Sequence, residues 1–120
     1  MGRSKVEEIK EQSGQLRGTI AQTLASDATH FSEEDLQLLK FHGSYQQDDR
    51  DLRAARKKLG QDKAWIMMVR CKAPGGDFTA EQWILHDRIA DELGNGTLRL
   101  TSRQGIQFHG VLKGNLREVI

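Results

Sequence analysis

Apolar residues follow two different periods along this chain, and the change between them falls near residue 63. In the first half the spacing is helical. Leu16, Ile20 and Leu24 recur at i, i+4 and i+8, which predicts a helix from about Gly14 to Ala25 after a polar, frayed start. Ser32 is placed to cap a short helix ending near Leu39, with Asp35 as its reciprocal partner and Phe31 and Leu36 as a hydrophobic staple. Residues 40–47 lose helical spacing and read as extended. Asp48 to Asp51 is a polar turn, and Leu52 to Leu59 a charged helix stopped by Gly60.

From Ala64 the period becomes two, with Trp65, Met67, Val69 and Cys71 on one face and Ile66, Met68, Arg70 and Lys72 on the other. Pro74-Gly75-Gly76 ends this strand. Thr79-Ala80-Glu81-Gln82 is a full capping box, Phe78 and Trp83 are its predicted staple, and the helix it opens should run to Leu93. Leu98 and Leu100 then alternate with Thr97, Arg99, Thr101 and Arg103, and Ile106 and Phe108 with Gln107 and His109, across a turn at Gln104-Gly105. Strand, helix, strand, strand is three quarters of a split βαβ unit. The expected fold class is therefore α+β, with residues 1–62 as a helical and extended segment and residues 63–120 as an incomplete ferredoxin-like half domain. Asn115 to Ile120 begins a second helix. In a complete unit a fourth strand flanks the first, so the edge of Ala64 to Val69 is expected to lie unpaired, an association hazard.

Composition narrows the class. The 120 residues make one domain's worth of chain. With 18 basic and 17 acidic side chains the net charge is +1, so there is no global field to recruit nucleic acid or an anionic membrane. No apolar run approaches the roughly 20 residues of a membrane span. A single cysteine and no export signal suggest a reducing compartment, the cytoplasm by default with a plastid left open.

Charge matters locally instead. Period two sends Arg99, Thr101 and Arg103 to one face of one strand and Gln107 and His109 to one face of the next. Arg70 and Lys72 can join them. A surface with four cations, a histidine, an amide and a hydroxyl, and no carboxylate among them, suits an anion with several acidic groups. The plain alternative is a solvated sheet face. Other chemistries find less support: the four histidines and Cys71 lack metal-ligand spacing, Cys71 lies on the apolar face, and Phe108 and Trp65 point away from any RNA-stacking surface.

The string Arg99-Leu100-Thr101-Ser102-Arg103-Gln104-Gly105-Ile106-Gln107-Phe108-His109-Gly110 resembles the siroheme-binding segment of the sulfite and nitrite reductase family. Lys40 to Arg50, Met68 to Gly76 and Leu16 to Ile20 resemble further segments of that family, in the same order. The resemblance implies an oxidoreductase carrying siroheme coupled to a four-iron four-sulfur cluster, reducing sulfite to sulfide in sulfur assimilation. By position, it implies that Arg99, Thr101, Ser102, Arg103, Gln107 and His109 contact siroheme, and that Arg70 binds the sulfite anion and assists its deoxygenation. Ser102 is the exception to the pattern, because alternation turns it away from Arg103 unless a bulge intervenes. His109 and the Tyr45 to Arg50 segment lean toward the sulfite branch.

The resemblance also implies partners: sulfite, an electron donor that is ferredoxin or a flavoprotein reductase subunit, and the rest of a longer reductase polypeptide. The family's four cluster cysteines have no counterpart here, so the chain is expected to be the N-terminal portion of such an enzyme and inactive alone. Three readings stand at this point: a portion of a sulfite reductase, a portion of a ferredoxin-type nitrite reductase, and a non-catalytic anion-binding or interaction module.

Overall fold

A computed structural model describes residues 2–120. The chain opens with a helix where a frayed start was expected: α1, Lys5–Gln12, begins at Ser4, whose hydroxyl accepts the Glu7 N–H. Acidic side chains in its first turn and Lys10 in its last suit the helix dipole, which the apolar pattern alone does not register. The second helix is shorter than its periodicity predicts. Gly14, Gln15 and Leu16 take left-handed φ values of 60°, 63° and 65°, so α2 spans only Ile20–Ala25.

The Asp35 carboxylate decides that start, accepting the Thr19 N–H at 2.9 Å and the Thr19 hydroxyl at 2.6 Å. Asp35 is therefore engaged with Thr19, while its own N–H donates to Ser32 at the cap of α3, Glu33–Leu39. One 3-10 turn, Lys40–His42, and a left-handed Gly43 lead into β1, Ser44–Asp48. Asp49 then caps α4, Arg50–Lys58. Asp48 and Arg53 form a two-pronged ion pair at 2.7 and 2.9 Å across this corner.

β2 covers Trp65–Cys71 and α5 covers Ala80–Leu93, the latter opened by the full Thr79/Gln82 capping box. Phe78 sets its ring edge-on to His86, with centroids 5.2 Å apart, while Trp83 stays 43% exposed. β3 is Leu98–Leu100, β4 is Ile106–Val111, and α6, Leu116–Val119, closes the chain.

The four strands form one antiparallel sheet in the order β1-β2-β4-β3. The expectation of an open edge on Ala64 to Val69 is not met, because β1 pairs there from Ser44↔Val69 to Asp48↔Trp65. A strand from the N-terminal segment thus takes the place flanking the first ferredoxin-like strand, and the backbone groups of that edge are satisfied within the chain.

The pairing of β2 with β4 carries a bulge. One residue lies between Met67 and Val69, but two lie between their partners Phe108 and Val111. Gly110 absorbs the extra residue at φ 69°, and a Cβ there would lie 2.6 Å from that of Asn95. The bulge lets Phe108 and Val111 both reach the core despite their odd spacing.

That core, with Phe31, Leu39, Met67, Val69, Ala90 and Leu116, lies on one side of the sheet under α3, α5 and α6. Half-buried His86 stacks on the core's Phe108 ring, with centroids 5.7 Å apart. Lys113, only 7% exposed, donates to the Thr23 and Ser26 carbonyls at the end of α2 and ties the N-terminal segment to the 3-10 turn that leads into α6.

Candidate anion-binding face

The other side of the sheet is where the polar positions of β2, β3 and β4 meet. Strand register sets Arg70 directly opposite Gln107, and Gln107 directly opposite Arg99. One row across three strands therefore reads cation, amide, cation, with the two arginine backbones about 10 Å apart, two strand spacings. Separating like charges by an amide limits their repulsion. Among the described residues the two guanidiniums enter no salt bridge, which leaves their N–H donors for a ligand lying flat on the face.

His109 stands beside this row, its Nε2 3.1 Å from Gln107 Oε1. Partial burial pushes the imidazole pKa below its ordinary value, and the positive charge of Arg99 adds to the effect. The ring is accordingly held neutral near pH 7. With the amide oxygen as acceptor, Nε2 carries the proton.

Thr101, Ser102 and Arg103 differ from the sequence reading. β3 ends at Leu100, so these residues belong to a tight turn and strand alternation does not govern them. The turn is closed by Thr101 N–H to Gly105 O at 2.9 Å and by Gly105 N–H to the Thr101 hydroxyl at 2.9 Å. Gln104 takes a left-handed φ of 58° and donates to Ser102 O.

This turn resolves the position of Ser102. With Thr101, Arg103, Arg70, Lys72 and Gln107, it lines one open concavity of about 550 Å3. None of the lining residues is acidic. The Thr101 hydroxyl, engaged as an acceptor, keeps its proton for donation outward. Arg99 and His109 lie along the sheet from the concavity and are not among its lining residues.

Lys72, one of the four cations that the sequence places on this face, lines the concavity. One contributor was missed as a site candidate. Tyr45, on β1 opposite Met68, places its ring 5.4 Å from the Arg70 guanidinium carbon. The extended character of residues 40–47 was readable in the sequence, but nothing local specified which strand they would join.

The residues suit a polycarboxylate: guanidinium, ammonium, amide, hydroxyl and imidazole groups are spread along one face, and no acid lines its concavity. It does not suit an iron-sulfur cluster, for which four thiolates are the usual ligands. Cys71 is the chain's one cysteine, and burial pushes its thiol pKa up. Among the described residues no cluster of three or more His, Cys, Asp or Glu is placed to hold a metal ion. No helix among them is long and apolar enough to cross a membrane.

Fold and site together define an α+β half domain of ferredoxin-like topology that offers an acid-free, cationic sheet face. Residues 60–120 match the nitrite/sulfite reductase ferredoxin-like half domain, and the chain belongs to that family. It is 52% identical to the sulfite reductase [NADPH] hemoprotein beta-component of Staphylococcus saprophyticus over 97% of this chain and 21% of that protein. It is 50% identical to the protein of the same name from Anoxybacillus flavithermus over 98% of this chain and 21% of that one. A sulfite reductase [NADPH] subunit beta of Schizosaccharomyces pombe is 52% identical over 95% of this chain and 8% of its own length. The chain thus spans about a fifth of the bacterial relatives it matches.

Proposed function

We propose that this chain supplies the siroheme-binding and sulfite-binding face of an assimilatory sulfite reductase. In this reading residues 63–120 act as the ferredoxin-like half domain, and residues 1–62 as the segment that lends it an edge strand. The observation that carries the reading is the in-register row Arg70, Gln107, Arg99, continued by Arg103 and Lys72 at one end of the face.

Arg99, Arg103, Gln107, His109, Thr101 and Ser102 would hold the carboxylates of siroheme. When bound, that group supplies the redox chemistry. Arg70 would bind the sulfite dianion and donate to its oxygens as they leave, a charge-assisted hydrogen bond that strengthens as negative charge builds. His109, held neutral, would orient its Nε2 proton toward the Gln107 oxygen or toward a carboxylate that replaces it. The four-iron four-sulfur cluster would draw its thiolates from polypeptide other than these residues. Electrons would come from a flavoprotein reductase subunit or a ferredoxin, and NADPH in the relatives' names favours the former. The cytoplasm is the proposed compartment.

The test joins residues 2–120 to the remaining four-fifths of the Staphylococcus saprophyticus relative. Removing a guanidinium from a desolvated cofactor carboxylate costs about 3 to 5 kcal/mol. Arg103→Ala should therefore purify with much less siroheme per polypeptide, read as visible absorbance. Lys57→Ala, on the exposed side of α4, should retain it. Arg70→Ala should keep siroheme but lose sulfite turnover by a factor of about 100 to 1,000. Equal siroheme content in folded Arg103→Ala and Lys57→Ala proteins would refute the assignment of the face.

A further inference from the structure

We infer that Tyr45 is a positioning residue for Arg70: its ring holds the guanidinium over the sheet while leaving the charge and the N–H donors for an anion. This rests on the proposed role of Arg70 and adds a residue to which no role had been given.

Arg70 is exposed, and among the described residues its guanidinium enters no salt bridge and no hydrogen bond. A free arginine on a sheet face samples many rotamers and must be ordered before it can hold a ligand. Its one described partner is the Tyr45 ring, 5.4 Å from the guanidinium carbon and within the range of a cation–π contact.

The chemistry of that partner matters. A carboxylate would order Arg70 more strongly, but it would also neutralise the charge and occupy the donors that an incoming anion needs. An aromatic face attracts the cation through its quadrupole and takes no N–H. Tyr45 is held in place by the backbone: β1 pairs it with Met68, so Arg70 is its diagonal neighbour two residues along β2. The Arg70 N–H also donates to Gly43 O at 2.8 Å, fixing the two strands against each other beside the contact.

A cation–π contact at an exposed site is equivalent to about a 2- to 5-fold change in affinity. The experiment uses the 120-residue chain, with sodium sulfite as the probe and proton and nitrogen NMR of the Arg70 side chain as the readout. In the intact chain the Arg70 δ-methylene protons should show an upfield ring-current shift, and the Arg70 Nε–H signal should move on sulfite addition. Tyr45→Phe should preserve both. Tyr45→Leu should abolish the ring-current shift and weaken the sulfite response about 2- to 5-fold. Tyr45→Ile, well suited to a strand, is the second variant should Tyr45→Leu not hold the fold.

Sulfite binding should be equally weak in Arg70→Ala and in the Arg70→Ala/Tyr45→Leu double variant, because a residue acting through Arg70 has no effect without it. Unchanged Arg70 signals on loss of the ring would overturn the inference alone, as would an undiminished effect of Tyr45→Leu in the Arg70→Ala background. An Arg70 that keeps its ring-current shift in the intact chain yet ignores sulfite would overturn the anion reading itself, and the inference with it.

Discussion

His109 links the chemistry of the face to pH. Its folded pKa lies below the ordinary value of 6.5, burial first and Arg99 second, so the fold prefers the neutral ring. The unfolded chain then binds the proton more readily than the folded one. The contribution to stability is present above about 6.5 and is lost as pH falls through the lower folded value. Denaturant midpoints taken between pH 7.5 and pH 5 should therefore fall more steeply for the intact chain than for His109→Gln. Parallel profiles would show that the imidazole is not disfavoured as a cation. A bound polyanion should oppose the effect by stabilising the charged ring. Arg70, Arg99, Gln107 and His109 were legible in the sequence because period two assigns each to a side without knowledge of its neighbours, whereas Thr101, Ser102 and Arg103 lie in a turn that alternation does not govern. Tyr45 was not, since its role depends on which strand lies beside it.

At the scale of elements, the β4 bulge shows how one residue changes what a strand can bury. Regular alternation predicts that Phe108 and Val111 face opposite sides, yet both are buried, at 2% and 0% exposure. Gly110 makes this possible through its φ of 69° and its close approach to Asn95, whose N–H donates to His109 O at 2.9 Å. A side chain at this position meets a left-handed backbone penalty of about 1 to 2 kcal/mol and a steric clash besides. Gly110→Ala should lower stability by about 2 kcal/mol or more, read by urea denaturation, and speed hydrogen exchange at the Asn95 amide. A neutral substitution would mean that the bulge does not depend on glycine. The helices were easier to foresee where their ends were chemically marked. Ser32, Thr79 and Gly60 gave α3, α5 and the end of α4 close to their observed limits, because a cap satisfies backbone groups within one turn. α2 was overextended because the Asp35 carboxylate that binds Thr19 lies 16 residues away in sequence.

For the whole molecule, the decisive feature is that β1 crosses from the N-terminal segment into the sheet. Residues 63–120 alone would lose the pairing of Ser44–Asp48 and expose the edge of β2, while Phe31 and Leu39 would leave the core. That shorter chain should associate or aggregate where the 120-residue chain does not, a difference readable by light scattering at equal concentration. A well-folded, monomeric 63–120 chain would contradict this. The sequence by itself determined the α+β class, the strand faces, the capped helices and the family, because each follows from local periodicity, short-range capping or a contiguous motif. Only the tertiary structure decided that β1 fills the expected gap, that a turn rather than a strand gathers Thr101, Ser102 and Arg103 around one concavity, and that Arg70, Gln107 and Arg99 align. These depend on strand order and register, which arise when distant segments satisfy their backbone hydrogen bonds and bury a shared core together.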